Sequence, residues 1–362
     1  MPSPSLDLGL DVIDLTAAVC DIESVSRHEE PLADAVEAAL AALPNLTLTR
    51  IGNTIVARTD LGRAERVVLA GHLDTVPVTE DPRNLPTRRL VVDGEDVLWG
   101  RGTVDMKGGV AVQLRLAAAL AEPNRDLTFV FYEAEEIDAV HNGLRHVQEQ
   151  RPDLIDDAVF AVLLEPTTAI VEGGCKGTLR VDVTARGVAA HSARPWRGRN
   201  AIHEAGEILA RLAAYQPRSA TVDGLEFREA LSAVGITGGI ATNVIPDVCT
   251  VTVNYRFAPD RSQEEALSHV EDLFEGFEVV VTDTAPGARP GLDRPAARAF
   301  VEALGLEVTA KQGWTDVARF SAMGVPAVNF GPGDPNLAHH DEERVPVRQL
   351  VDCEAALLRW LA

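Results

Sequence analysis

The stretch Val67-Val-Leu-Ala-Gly-His-Leu-Asp-Thr-Val-Pro77 passes directly from apolar residues typical of a buried strand to a histidine and an aspartate. Two more apolar runs of strand length follow, at Leu127–Tyr132 and Val159–Leu164. Helical patterns at Leu8–Cys20 and Pro31–Leu43 precede the first of these runs. Because helices and strands alternate, the first 170 residues predict an α/β domain in which helices cover a sheet.

A different pattern begins at Thr178, where Thr-Leu-Arg-Val-Asp-Val-Thr alternates with the period of a strand. A helix, two strands, a helix and a strand follow, at Asn200–Tyr215, Ala233–Gly239, Val248–Phe257, Gln263–Phe274 and Glu278–Asp283. This order predicts an α+β unit of the ferredoxin-like type. The α/β pattern resumes after Pro290. We therefore expect a discontinuous catalytic domain, residues 1–176 and 287–362, interrupted by an inserted domain at residues 177–286.

The composition is that of a globular protein with enough chain for two domains. Of the 362 residues, 46% are hydrophobic and 24% charged, and the formal net charge is −22. These values argue against intrinsic disorder and against a membrane protein. The acidic balance repels nucleic acid and anionic membrane surfaces, so we expect neither as a partner.

Cysteine spacing and the N-terminus indicate the compartment. The four cysteines, Cys20, Cys175, Cys249 and Cys353, include no C-x-x-C pair, so we expect reduced thiols and no cysteine zinc site. The N-terminus lacks a basic segment followed by an apolar one, and no run approaches the ~18 apolar residues of a spanning helix. These features predict a cytoplasmic protein.

Histidines and carboxylates follow the ends of several predicted strands. They occur in Gly71–Pro77, Glu133–Glu136, Leu164–Pro166 and Ala338–His340. In open α/β sheets, ligands bind beyond the carboxyl ends of the strands. A site for two zinc ions needs about five His, Asp or Glu ligands, with one carboxylate shared between the metals. The sequence contains enough such residues to predict one.

Each residue also has a simpler interpretation. A histidine at a strand end is usually a hydrogen-bonded structural residue, and the pair Glu135-Glu136 would suit a solvated surface. Asp105 precedes the helix predicted at Val110–Ala121 and would suit an N-terminal cap. As neighbours, Glu135 and Glu136 need different roles: one can bind metal while the other carries a proton. The sequence lacks G-x-S-x-G, G-x-x-x-x-G-K-[ST], G-x-G-x-x-G and H-E-x-x-H motifs.

Taken together, these segments resemble the M20 family of metallopeptidases and amidohydrolases. The resemblance is carried, in family order, by Gly71-His-Leu-Asp-Thr-Val-Pro77, Gly100-Arg-Gly-Thr-Val-Asp-Met-Lys-Gly-Gly109, Ala134-Glu-Glu136, Glu165-Pro-Thr167 and a late histidine. It implies a zinc-peptidase-like catalytic domain with a central mixed sheet flanked by helices, and an inserted ferredoxin-like lid and dimerisation domain. It also implies two Zn²⁺ per subunit, for which Co²⁺ can substitute.

The resemblance further implies a role for each site residue. His72 and Glu165 would bind one zinc, and Glu136 and His339 the other, while Asp105 bridges the two. His340 is the alternative to His339, and the tail Glu343-Arg-Val-Pro-Val347 favours His339. Asp74 would orient His72, and Glu135 would be the general base and then the general acid.

The inserted domain resembles the family's lid, and implies a homodimer. His191, in Gly187-Val-Ala-Ala-His191, would complete the partner subunit's site by polarising the scissile carbonyl. Asn243 and Arg256 resemble positions of the family that hold a substrate oxygen and a substrate carboxylate, respectively. Without the resemblance, an asparagine in a turn and an arginine on the surface would be equally good interpretations.

Longer phrases, including Glu172-Gly-Gly-Cys-Lys-Gly177 and Gly313-Trp-Thr-Asp-Val-Ala-Arg319, are similar to a subgroup of the family that cleaves N-succinyl-LL-2,6-diaminopimelate. Arg194, Arg256 and Arg319 could pair with that substrate's carboxylates. Gly313-Trp-Thr-Asp departs from the Gly-Thr-Ser-Asp of many relatives, which leaves the contacts there open. The alternatives are another deacylase or dipeptidase of the family, such as an acetylornithine deacetylase, and a metal-binding protein without turnover.

Overall fold

The structure, a computed structural model, describes residues 4–81 and 83–362. Met1–Ser3, the start of the N-terminal stretch that predicts no export signal, lie outside the described residues.

Within the described ranges, the helices are α1 (Val12–Asp21), α2 (Glu30–Ala41), α3 (Lys107–Ala119), α4 (Gly143–Gln150), α5 (Ala201–Ala214), α6 (Gln263–Leu273), α7 (Pro295–Leu304), α8 (Val317–Ala322) and α9 (Val347–Leu361). The strands of the first half are β1 (Thr47–Ile51), β2 (Thr54–Arg58), β3 (Arg66–His72), β4 (Arg88–Val92), β5 (Glu95–Trp99), β6 (Asp126–Tyr132), β7 (Phe160–Leu163), β8 (Val171–Gly173) and β9 (Gly177–Arg186). Those of the second half are β10 (Ala190–His191), β11 (Ser219–Val222), β12 (Leu225–Arg228), β13 (Ala230–Gly238), β14 (Val244–Ile245), β15 (Val248–Phe257), β16 (Glu278–Ala285), β17 (Val308–Ala310), β18 (Ala327–Asn329) and β19 (Arg344–Pro346).

The chain forms two structural units. The first contains residues 1–173, 291–309 and 319–362, and the second contains residues 174–290 and 310–318. Residues 310–318 therefore group with the second unit, although the sequence pattern places them in the resumed α/β domain.

An eight-stranded mixed sheet is the centre of the first unit, in the order β1-β2-β6-β3-β7-β18-β8-β17. β3 pairs in parallel with β6 and β7, and β7 pairs in parallel with β18. In contrast, β2 pairs antiparallel with β6, and β8 pairs antiparallel with β18. Val67–Ala70 of β3 are fully buried, as expected for a parallel strand covered on both faces. The predicted fold class, an α/β domain with a mixed sheet flanked by helices, is confirmed.

Two glycines allow other segments to approach the end of β7 closely. A Cβ atom on Gly109, in the first turn of α3, would overlap the carbonyl oxygen of Leu164. A Cβ atom on Gly331 would overlap the same oxygen, and it would lie 2.6 Å from the carbonyl oxygen of Glu165. The absence of side chains at these positions therefore lets α3 and the loop after β18 pack against the segment that carries Glu165.

The second unit has a four-stranded antiparallel sheet in the order β13-β15-β9-β16. In β15, buried residues alternate with more exposed ones, and the buried set packs with apolar residues of α5 and α6. The order of strands and helices along the chain is that of the ferredoxin-like unit that the sequence predicts.

Short elements account for most differences from the sequence-based expectation. The sequence pattern did not indicate the small sheet β19-β5-β4 or the hairpin β11-β12, whose strands have three to five residues each. Helix α3 begins at Lys107, three residues before the predicted start, and its buried residues include Lys107 and Gln113. An apolar periodicity cannot reveal a helix turn whose buried residues are polar or glycine.

Two further observations concern the cysteines and the helices. All four cysteines are buried and none forms a disulfide. Among the described residues, no helix combines the length and the apolar character that crossing a membrane requires.

We expect Gly109→Ala to lower the free energy of unfolding by about 1–3 kcal/mol, the usual cost of overpacking, because the added methyl group meets backbone. Gly206→Ala is the control: it lies in the interior of α5 with no atom near the added methyl, and should raise stability by about 0.5–1 kcal/mol. Urea unfolding of both variants tests this. An unchanged Gly109→Ala midpoint would contradict the close packing described for α3.

Candidate metal centre

Parallel strands of the first unit bring several of the predicted metal ligands together. His72 is the last residue of β3, Glu135 and Glu136 follow the end of β6, and Glu165 follows the end of β7. Because β6, β3 and β7 are parallel neighbours, their carboxyl ends meet at one edge of the sheet. The site residues therefore converge although they are far apart in sequence.

Asp105 lies between two histidines. Its Oδ1 is 3.1 Å from Nε2 of His72, and its Oδ2 is 3.4 Å from Nε2 of His339. Nε2 of His339 is also 2.9 Å from Oε1 of Glu136. One carboxylate thus contacts both imidazoles, one with each oxygen.

The side chains form two groups that share Asp105. His72, Asp105 and Glu165 make one group, and Asp105, Glu136 and His339 the other; the potential ligand atoms within each lie within 4.8 Å of one another. His72 also forms such a group with Glu135 and Glu136. Imidazole nitrogen and carboxylate oxygen are ligands that zinc accepts, so this set suits one or two divalent ions.

Burial and mutual contacts shift the pKa values of these groups. Burial lowers the pKa of His72, but hydrogen bonds to Asp105 and Asp74 outweigh it and raise the pKa well above its usual value. Burial raises the pKa of Asp105, yet the two histidines hold that pKa below its usual range. Burial and the charge of Asp105 raise the pKa of Glu136. Such shifts mark a site where negative charge is concentrated out of water and where a cation would be stabilised.

Asp74 is fully buried and organises the segment after β6. Its Oδ1 accepts a hydrogen bond from the backbone N–H of Glu135 (3.0 Å), and its Oδ2 accepts one from that of Glu136 (3.1 Å). Oδ2 also accepts the hydroxyl of Ser26 at 2.7 Å. Nδ1 of His72 is 3.0 Å from the backbone carbonyl oxygen of Asp74 and 3.4 Å from its Oδ1. Asp74 therefore contacts His72 and accepts the backbone N–H groups of both glutamates.

The simpler interpretations of Asp105 and Glu136 do not describe this structure. The residue that precedes α3 is Met106, which makes no side-chain capping hydrogen bond, and the carboxylate of Asp105 points to the histidines. The Asp105–Met106 peptide bond is cis. The side chain of Glu136 is only 8% exposed, so this residue does not belong to a solvated surface.

The two candidate histidines near the C-terminus differ in surroundings. His339 adopts a left-handed backbone conformation, with φ of 64°, and its ring reaches Asp105 and Glu136. In contrast, Nδ1 of His340 accepts the backbone N–H of Glu342 at 3.1 Å. The geometry therefore favours His339 over His340 as a ligand.

The sequence-based interpretation missed Glu343 and Arg101, which form a buried ion pair of 2.8 Å. Glu343 accepts the backbone N–H of Asp105 at 3.1 Å. The sequence signal that could have indicated these two residues is their proximity to predicted metal ligands. Arg101 lies in the same motif as Asp105, and Glu343 follows His339 by four residues.

Of the remaining predicted residues, His191, Arg194, Asn243 and Arg256 belong to the second unit and Arg319 belongs to the first. His191 and Asn243 lie close together in the second unit, where β10 pairs with β14 and the backbone N–H of Ser192 donates to the carbonyl of Asn243. His191, Arg194 and Asn243 are exposed. Arg256, on β15, is half-buried, and Arg319 is a half-buried residue of α8 in the first unit.

Comparisons with known proteins show the family to which the chain belongs. The sequence profile described as peptidase family M20/M25/M40 matches residues 68–362. A putative succinyl-diaminopimelate desuccinylase of Mycobacterium tuberculosis is 56% identical and covers 98% of this chain and 99% of its own. A succinyl-diaminopimelate desuccinylase of Corynebacterium glutamicum is 46% identical, covering 99% and 98%.

A solved structure also supports the fold. The tripeptidase of Staphylococcus aureus superposes with a TM-score of 0.76 at 20% identity, covering 98% of each chain. At this identity the likeness concerns the fold alone.

We expect His339→Ala to bind fewer metal ions per chain than the unmodified protein, because it loses the imidazole beside Asp105 and Glu136. His340→Ala should keep the full number. Equilibrium dialysis against zinc, followed by elemental analysis, measures the stoichiometry. Loss of metal from His340→Ala alone would reverse the assignment.

Proposed function

This chain belongs to peptidase family M20/M25/M40, and from that premise we propose that it is a succinyl-diaminopimelate desuccinylase. The reaction is hydrolysis of the amide in N-succinyl-LL-2,6-diaminopimelate to succinate and LL-2,6-diaminopimelate, a step of diaminopimelate and lysine biosynthesis. The observation that carries the proposal is that two groups of histidine and carboxylate side chains share Asp105. The chain that holds them is 46–56% identical, over nearly its whole length, to relatives of that name.

The residues present suit two zinc ions. We assign His72 and Glu165 to one ion and Glu136 and His339 to the other, with Asp105 between them. This assignment is supported by the two groups of ligand atoms and by the position of the Asp105 carboxylate between the two imidazoles. A shared carboxylate is the usual means of holding two metals about 3.5–4 Å apart.

When bound, zinc would polarise the scissile carbonyl and bring the pKa of a coordinated water towards about 7. Glu135 takes a proton from the attacking water on its carboxylate and then delivers that proton to the nitrogen of the leaving amine. The hydrogen bond from its backbone N–H to Asp74 supports this role by fixing the start of the side chain next to Glu136. Glu135 thus acts as base and then as acid.

The substrate carries several carboxylates, and arginines are proposed to hold them. Burial and the charge of Arg180 lower the pKa of Arg256, so an anionic partner would relieve an unfavourable charge there. Arg194, Arg319 and Asn243 complete the proposed contacts. A planar guanidinium can bind a carboxylate with two parallel hydrogen bonds, which favours a substrate with several acid groups.

We further propose a homodimer formed through the second unit. Strand β13 is an edge strand of its sheet, and it carries Val234 and Ile236 with 61% and 52% of their surface exposed. Ile240, which follows this strand, is 88% exposed. An exposed apolar edge strand is a typical pairing surface. In such a dimer, the exposed His191 would act in the partner subunit's site.

We expect zinc-loaded protein to release succinate from N-succinyl-LL-2,6-diaminopimelate in preference to cleaving N-acetylornithine or a dipeptide at the same concentration. Glu135→Gln should keep its zinc and lose at least about 100-fold in kcat, because a positioned general base contributes about 10²–10⁴-fold. Initial rates and metal content measure both.

Preference for N-acetylornithine or the dipeptide would favour another deacylase or dipeptidase of the family. Zinc binding without hydrolysis of any of the three compounds would favour a metal-binding protein without turnover. Near-normal activity of Glu135→Gln would contradict the role of Glu135.

The shared site predicts complementation between two inactive variants. Glu135→Gln and His191→Ala should each be inactive, but a reassorted equal mixture should regain roughly a quarter of wild-type activity, because half the dimers are mixed and each has one complete site. Activity after mixing, with dimer content from light scattering, measures this. If both variants are folded and dimeric and mixing restores nothing, His191 does not act across the dimer.

A further inference from the structure

Arg101 and Glu343 form an ion pair inside the first unit. Their side chains are 3% and 1% exposed, and Nη1 of Arg101 lies 2.8 Å from Oε2 of Glu343. Removing two charges from water is unfavourable unless the remaining hydrogen-bonding capacity of both groups is satisfied. The other hydrogen bonds of this pair therefore indicate what it does.

Glu343 holds the segment that leads to Asp105. Its Oε1 accepts the backbone N–H groups of Val104 at 3.0 Å and of Asp105 at 3.1 Å. The carboxylate is thus bonded on both oxygens, to Arg101 on one side and to this segment on the other. The backbone of Asp105 is fixed directly next to the side chain that contacts both imidazoles.

Arg101 connects two further segments. Its Nε donates to the carbonyl of Pro77 at 3.2 Å, and its Nη1 donates to the carbonyl of His340 at 3.3 Å. Pro77 ends the segment that contains His72 and Asp74, and His340 directly follows His339. The backbone N–H of Glu343 also donates to the carbonyl of His340 at 3.2 Å.

We propose that the Arg101–Glu343 pair is a positioning element that fixes Asp105 and His339 relative to each other and to the His72 segment. The inference rests on the proposed metal centre. Neither residue touches the substrate or the metal in this scheme; they act through the backbone of the segments that carry ligands.

A purely stabilising role does not account for this arrangement. A buried ion pair can often be replaced by apolar residues without loss of stability, so burial alone is weak evidence that it stabilises. Apolar side chains could not serve two N–H groups and two carbonyls from three separate segments. Partners that orient metal ligands typically affect metal affinity or activity by about 10–100-fold when they are changed.

Two variants test the proposal. Glu343→Gln keeps the shape and removes the charge, and Arg101→Lys keeps the charge but loses the fork that reaches three acceptors. The control is Glu354→Gln, which removes a 2.9 Å ion pair with Arg115 between α9 and α3 of the same unit. Affinity for zinc is measured by competition with a chromogenic chelator, and thermal unfolding is followed on the same metal-free samples.

We expect Glu343→Gln and Arg101→Lys to bind at least one zinc about 10–100-fold more weakly than the wild type. Excess zinc should restore part of kcat, and Glu354→Gln should keep wild-type affinity. Wild-type affinity in Glu343→Gln or Arg101→Lys would overturn the proposal, even if the midpoint of unfolding fell. The proposal would also be overturned if Glu354→Gln weakened zinc binding as much as the other two variants.

The proposed activity and the positioning role can be tested independently of each other. If the wild type binds zinc but cleaves no N-acyl substrate, the proposed activity fails while the affinity comparison still tests the positioning role. If the wild type binds no zinc, the metal centre and this inference are both overturned.

Discussion

The contact of one carboxylate with two imidazoles determines how the site of the first unit is arranged. Asp105 offers one oxygen to His72 and the other to His339, and these histidines come from segments far apart in the chain. Glu136 and Glu165 add carboxylates on either side, so negative charge accumulates where little water reaches it. The imidazoles of both histidines lie against this charge, and a divalent cation held by the same groups would stabilise it.

A second principle is that carboxylates hold the backbone of the segments that carry ligands. Residues beyond the end of a strand have no sheet partner for their N–H groups, and buried N–H groups need acceptors. Asp74 provides acceptors for the segment of Glu135 and Glu136, and Glu343 does so for the segment of Asp105. Glu29 similarly accepts the N–H of Ala134, whose backbone is left-handed with φ of 57°. Rigid segments of this kind keep ligands in place before a metal or substrate arrives.

The two units carry different parts of the proposed chemistry. The first holds the candidate ligands and Glu135, all at one edge of its sheet. The second holds His191, Asn243 and Arg256, on a smaller sheet with an exposed edge strand. The proposed substrate contact Arg319 belongs to the first unit, so the proposed recognition of substrate is not confined to the second.

The sequence by itself determined the fold class and most of the candidate site. Apolar runs such as Val67–Ala70 are long enough to specify buried strands, and a histidine or carboxylate directly after such a run must lie at the sheet edge. Short elements such as β4 and β19 were not predictable, because most of their residues are exposed or only partly buried and they lack a continuous buried apolar run. The tail Glu343–Val347 already favoured His339 over His340, but only the tertiary structure showed that the ring of His339 reaches Asp105, since neighbours in a turn point in different directions. Only the tertiary structure also revealed the pair of Arg101 and Glu343, because a buried charge is recognised by its partner and that partner is distant in sequence.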